Sequence, residues 1–152
     1  MTLMDLTNMI KSFPSVHQLL PIYSCVGKNE HDLERLEELD DLDKLGGLDL
    51  DRACTAIEFH REIERAVNDN FSNPAYADTR YQLLPVVGTY QPTFQSALLT
   101  GEGVEPLRTY KGRLMQNGDG TVPRLSATPI ELSNANADFF AACPHASLQN
   151  FD

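Results

Sequence analysis

Apolar residues follow a different rhythm in each part of this chain. Residues Ser12 to Val26, "SFPSVHQLLPIYSCV", are apolar but broken by Pro14 and Pro21, which predicts a short helical turn between two proline stops. "NEHDLERLEELDDLDKLGGLDLD" follows, with leucines at 33, 36, 39, 42, 45 and 48. A strict spacing of three drifts around an α-helix, so this stripe is imperfect, and Gly46-Gly47 ends whatever helix forms. Asp49 or Asp51 can cap a second helix from Arg52 to Asn68, whose apolar face is Ala53, Ala56, Ile57, Ile63 and Val67. "NDNFSNPAYAD" has the composition of a loop.

The second half reads as strands and turns. Tyr81 to Thr93, "YQLLPVVGTYQPT", predicts a buried strand through Leu83, Leu84, Val86 and Val87, with Pro85 awkward at its centre. "SALLTGEGVEPLRTYKG" predicts a hairpin around a glycine-rich turn. A short strand or turn is expected through "ATPIEL", and a helix from Ala135 to Ala142. No internal repeat or low-complexity linker interrupts the 152 residues, a length sufficient for one domain with a real core.

Charge narrows the partners. The net charge is -10, and Glu30 to Asp51 holds ten acids against Arg35 and Lys44. A nucleic-acid backbone needs clustered Lys and Arg, so nucleic acid is excluded as a partner. An anionic membrane surface would repel the same stretch. No run approaches the roughly 18 apolar residues of a membrane span, and "MTLMDLTNMI" lacks the basic start of a signal peptide. The 3 cysteines, Cys25, Cys54 and Cys143, form no C-x-x-C pair. That argues against a disulfide framework or a zinc site and for a reducing compartment, the cytoplasm.

The chemistry centres on "NGDGTVPRLSATP", where Gly118 and Gly120 flank Asp119. A phosphate cradle needs a following helix with a Lys or Ser/Thr at fixed distance; here Val122-Pro123 follows and no lysine does. A calcium loop needs acids at alternate positions, and Thr121 and Pro123 occupy them. A tight turn and a catalytic acid remain. His145 stands late in the chain, after the predicted helix. An acid on a glycine-bounded loop followed by a late histidine is the second half of a Ser…Asp…His triad, in which the carboxylate fixes the imidazole tautomer. The glycines would then permit backbone angles that aim the carboxylate inward.

Three phrases carry a resemblance: "GDGTVPRLSATPIEL", "HASLQN", and "SFPSVHQLLPIY" near the start. Together they resemble the lecithin:cholesterol acyltransferase-like branch of the α/β-hydrolases, a group of lipases and acyltransferases. The resemblance implies an α/β chain with a partial α/β-hydrolase fold, made of its C-terminal strands and helices plus a helical cap-like insertion. It divides the chain into a cap-entry segment (1–27), an acidic helical cap-like region (28–72) and the C-terminal part of the hydrolase core (73–152). It implies that Asp119 is the catalytic acid and His145 the catalytic base, with no cofactor and no metal. The serine does not carry over: no G-x-S-x-G occurs, and none of the eight serines sits on a glycine-bounded elbow.

The expectation is therefore a C-terminal piece of a serine lipase, esterase or O-acyltransferase acting on lipid-like esters, inactive alone. The alternative is a non-catalytic assembly subunit that pairs with an N-terminal hydrolase half or with itself, through the edge that a lone "LLPVVGTY" strand would expose. Other polar residues read more plainly. His17 packs among apolar neighbours, His60 lies on the predicted helix, and His31 is solvated between Glu30 and Asp32. Glu58 and Glu62 share one wet helix face. Cys143 stands too near His145 in sequence for a nucleophile pair.

Overall fold

The computed structural model describes residues 6–40, 42–79, 83–114, 118–132 and 140–150. Within them the chain is a mixed α/β structure with a small mixed sheet and a few helices. It opens with two short helices, α1 (Leu6–Lys11) and α2 (Pro14–His17). Pro14 starts α2 because the first helical position needs no amide hydrogen. The chain then passes through turns and bends into β1 (Val26–Gly27).

The leucine-every-third-residue stretch does not form an α-helix. It makes two 3₁₀ turns, Leu36–Glu38 and Leu42–Leu45. A period of three matches the 3₁₀ turn, in which residues i and i+3 eclipse. The leucines thus face one way: Leu36 is buried with Cys25 and Val26, and Leu39, Leu42 and Leu45 pack on that cluster. Burial of Cys25 pushes its thiol up to about 12, leaving it an inert core residue.

The acidic stretch ends at α3 (Leu50–Phe71), which begins and ends beyond the expected helix. Asp49 caps it, Oδ1 accepting from the Arg52 amide at 3.2 Å. Ala53, Ala56 and Val67 are buried as the apolar spacing predicts, while Ile63 is 40% exposed. Arg35 bonds both Glu37 and Glu64, and Arg61 reaches Glu37 at 2.9 Å, pinning the first 3₁₀ turn to α3. Asn73-Pro74 ends the helix, and α4 (Pro74–Thr79) restarts on the proline.

The expected buried strand is cut down to β2 (Val87–Gly88). Residues 81 and 82 lie outside the described residues, and 83–86 pair with nothing described. Pro85 has no amide hydrogen to give a ladder. Leu84 and Val86 are 60% and 59% exposed, so the apolar run is not a core strand. The predicted hairpin is present: β3 (Ser96–Thr100) and β4 (Gly103–Leu107) pair antiparallel, and β1 lies parallel to β3. Pro106 is tolerated because β4 is an edge strand. A smaller hairpin, β5 (Thr109–Tyr110) with β6 (Arg113–Leu114), follows.

After the acid loop come α5 (Arg124–Ala127) and a 3₁₀ turn at Ile130–Leu132, so "ATPIEL" is turn rather than strand. Of the helix expected from Ala135 to Ala142, residues 135–139 lie outside the described residues. At its other end the expectation fails: Phe140–Ala141 is a strand, β7, parallel to β2. Ala141 is 2% exposed, and its carbonyl accepts from the Thr89 amide at 2.9 Å. That pairing buries a backbone which a helix would have turned away from β2. A last 3₁₀ turn covers His145–Asn150. Among the described residues no helix is long and apolar enough to cross a membrane.

Candidate functional site

The acid loop closes on itself. Gly118 bridges Pro123, and the Asp119 amide donates to the Val122 carbonyl at 3.3 Å. Asp119 Oδ1 accepts from the amides of Thr121 at 2.9 Å and Val122 at 2.7 Å. One carboxylate oxygen is thus spent on holding its own loop, as aspartate side chains do in turns. The other is free for a partner.

The two glycines serve different needs. Gly120 takes φ +93, a left-handed angle that a side chain resists. Gly118 needs no special angle. It needs space, since a Cβ there would lie 2.4 Å from Thr93 Oγ1. The expectation that both glycines relax backbone angles holds for Gly120 alone.

His145 lies four residues after β7, which, like the acid segment, runs parallel to the stretch from Val87 to Gln91. Its amide donates to the Asp119 carbonyl at 2.8 Å, and its Nδ1 stands 2.7 Å from Asp119 Oδ2. Asp119 is 4% exposed and the His145 side chain 53%. An ionised carboxylate only accepts, so Nδ1 is the donor and the neutral ring carries its lone pair on Nε2. Among the described residues Nε2 has no hydrogen-bond partner. The pair is a buried acid holding a half-exposed imidazole by one nitrogen and offering the other.

Burial works against the Asp119 charge, but the hydrogen bonds from Val122, His145 and Thr121 outweigh it and hold the carboxyl below the usual carboxylate range. A folded-state value below the unfolded one favours the folded state once the group ionises. The contribution is complete above the unfolded value of about 3.9 and disappears as pH falls through the lower folded value. In urea unfolding, the stability gap between wild type and Asp119→Asn should therefore stay level above about pH 5 and shrink below about pH 4. A gap independent of pH down to unfolding would refute a charged Asp119 in the folded protein.

Sequence reasoning missed the floor under the acid. Gly88 of β2 packs so tightly that a Cβ there would lie 2.4 Å from Asp119 Cβ. Thr89 bonds β7, and two residues later the Gln91 amide donates to the Gly118 carbonyl at 3.0 Å. Between them Tyr90 adopts φ +62 and is 69% exposed. A left-handed tyrosine costs about 1–2 kcal/mol, and here it turns the chain from β7 to the acid loop. A glycine closing an apolar run is a sequence signal of close backbone approach, so Gly88 was findable. Thr93 and Tyr90 carried no such signal.

The other candidates stay apart from this pair. His17 is buried, its Nδ1 3.3 Å from the Phe13 carbonyl, and His60 Nε2 lies 2.9 Å from the Gln18 carbonyl. His31 is exposed, and its ring packs on Gly112. Glu58 pairs with Arg65 at 2.7 Å on the wet face of α3. All three cysteines are free thiols. Among the described residues no three His, Cys, Asp or Glu side chains gather where they could hold a metal ion.

An apolar groove of about 400 Å³ is lined in part by residues that follow the acid loop, though by neither Asp119 nor His145. Leu36, Leu45, Leu48, Tyr23 and Phe94 line it, together with Pro123 and Ser126 from the segment after the acid loop. No protein-family model, no curated protein and no solved structure matches the chain.

Proposed function

We propose that this chain is the acid-and-base part of a serine lipase, esterase or O-acyltransferase with an α/β-hydrolase fold, similar to the lecithin:cholesterol acyltransferase-like enzymes. One observation carries the reading: His145 Nδ1 sits 2.7 Å from the buried Asp119 Oδ2, with Nε2 unused. Two further features support it. The turns of the 28–72 region supply Leu36, Leu45 and Leu48 to the apolar groove, as a cap over an acyl chain would. The parallel pair β2–β7 places the strand before the base next to the stretch that bridges the acid loop through Gln91 and Asp119.

The chemistry follows from the geometry. A serine hydroxyl, supplied by a segment other than this one, hydrogen-bonds Nε2. As its Oγ attacks the ester carbonyl carbon, the proton passes to Nε2 and the carbonyl electrons move to oxygen. Asp119 stabilises the imidazolium and stays ionised. On collapse the ester C–O bond breaks, and His145 returns the proton to the leaving alcohol oxygen. Water or an alcohol then repeats the sequence on the acyl-serine. Ester bonds of lipids are the substrate class that the groove favours.

The chain alone should not turn over a short-chain p-nitrophenyl ester, because it lacks the nucleophile elbow. Mixed with a chain that ends in hydrolase strands and carries G-x-S-x-G, it should restore turnover. Turnover by the isolated chain that vanishes in His145→Ala would contradict the assignment of the serine to another segment. A second reading, an assembly subunit without catalysis, is favoured by Leu84, Val86 and Tyr90, which are 60%, 59% and 69% exposed on either side of β2. It predicts complex formation with such a chain but no esterase activity.

A further inference from the structure

We propose that Thr93 is a positioning residue for the triad acid, acting through the backbone of the acid loop. The inference rests on the reading of Asp119 and His145 as acid and base. Thr93 is 1% exposed, and its hydroxyl is spent in two directions. It donates to the Gln91 carbonyl at 2.9 Å and accepts from the Gly120 amide at 2.8 Å. A threonine hydroxyl has one hydrogen, so the first bond orients the lone pair that receives the second.

The consequences run straight to Asp119. Gly120 is the residue after the acid and holds a left-handed φ of +93. Its amide is held by the Thr93 hydroxyl, which fixes the peptide that follows the acid. The Thr93 side chain also fills the space beside Gly118, where a Cβ would meet Thr93 Oγ1, Cβ and Cγ2 at 2.4, 2.6 and 2.7 Å. Gln91, whose carbonyl takes the Thr93 proton, donates its own amide to the Gly118 carbonyl at 3.0 Å. Both residues flanking the acid are therefore anchored to one hydroxyl or to its acceptor residue. The hydroxyl touches neither His145 nor any reacting atom; it sets where the Asp119 carboxylate points.

The test reads the acid–base contact directly. A histidine Nδ1–H bonded to a carboxylate gives a far-downfield proton resonance, which can be followed in the isolated chain at low temperature. Wild type should show it. Thr93→Val keeps the shape, loses the hydroxyl, and should erase the resonance while circular dichroism retains the folded spectrum. Thr93→Ser keeps the hydroxyl and should keep the resonance. Val67→Ala, which opens the buried face of α3, should keep it too, separating aim from stability. A resonance that survives in Thr93→Val, or disappears in Thr93→Ser or Val67→Ala, overturns the role of Thr93. Should Thr93→Val not fold, the serine variant still decides by keeping or losing the signal. A wild-type spectrum without the resonance would sink the acid–base pair itself, and this inference with it.

Discussion

On the proposed serine-hydrolase reading, His145→Ala should lower kcat/KM of the reassembled enzyme roughly a million-fold, with the protein still folded. The magnitude follows from what the ring does. Without Nε2 no group takes the serine proton, and none returns a proton to the leaving alcohol, so both halves of the reaction lose their shuttle. The fold should survive with some loss of stability: Asp119 Oδ2 loses its donor, while the bond from the His145 amide to the Asp119 carbonyl belongs to the backbone and remains. Asp119→Asn should cost less, about 10⁴-fold, by allowing the wrong imidazole tautomer rather than removing the base. The measurement is initial-rate kinetics on a soluble ester, with both variants compared at equal complex concentration. A His145→Ala enzyme within tenfold of wild type would remove histidine from the mechanism, and the triad with it.

The meeting of Asp119 and His145 was legible in a glycine-bounded acid followed by a late histidine, although the loop alone read equally well as a tight turn. Helix α3 was legible for a different reason: its apolar spacing and its aspartate cap are both local. The hairpin of β3 and β4 was likewise local, closed by its own glycine-rich turn. What escaped was everything decided by distant partners. The β2–β7 ladder joins two-residue segments far apart in sequence, too short to leave a periodic trace. Apolar content predicted burial at Leu84 and Val86, and the missing amide hydrogen of Pro85 worked against a ladder there. The leucines at spacing three were visible, but which helix they favour depends on Cys25 and Val26 offering a surface that only the fold assembles. The same limit hid Thr93. A hydroxyl that bridges two loops looks in sequence like any threonine after a proline.

Gly88→Ala should disturb the acid and the base together with one added methyl. The added Cβ would lie 2.4 Å from Asp119 Cβ, 3.1 Å from Leu148 Cδ1 and 3.3 Å from Asp119 Cα. Two of these three atoms belong to the acid itself, whose side chain is clamped by Thr121, Val122 and His145. No rotamer change relieves the contact, so β2 must move away from the acid loop. β2 also holds β7, which leads to the base. One displacement therefore loosens acid and base together. Overpacking of this kind costs about 3 kcal/mol at the upper end of its range, which lowers the midpoint of a domain this size by roughly 10 °C. In the reassembled enzyme a shift of about 1 Å at the acid should cost a further hundredfold in rate. Gly101→Ala is the matched control, since a Cβ there meets nothing within 4 Å. If Gly88→Ala melts within about 2 °C of that control, less than a 1 kcal/mol effect, β2 does not press on the acid. The close approach would then have no part in aiming the carboxylate, and the support for the site would have to come from Gln91 and Thr93 alone.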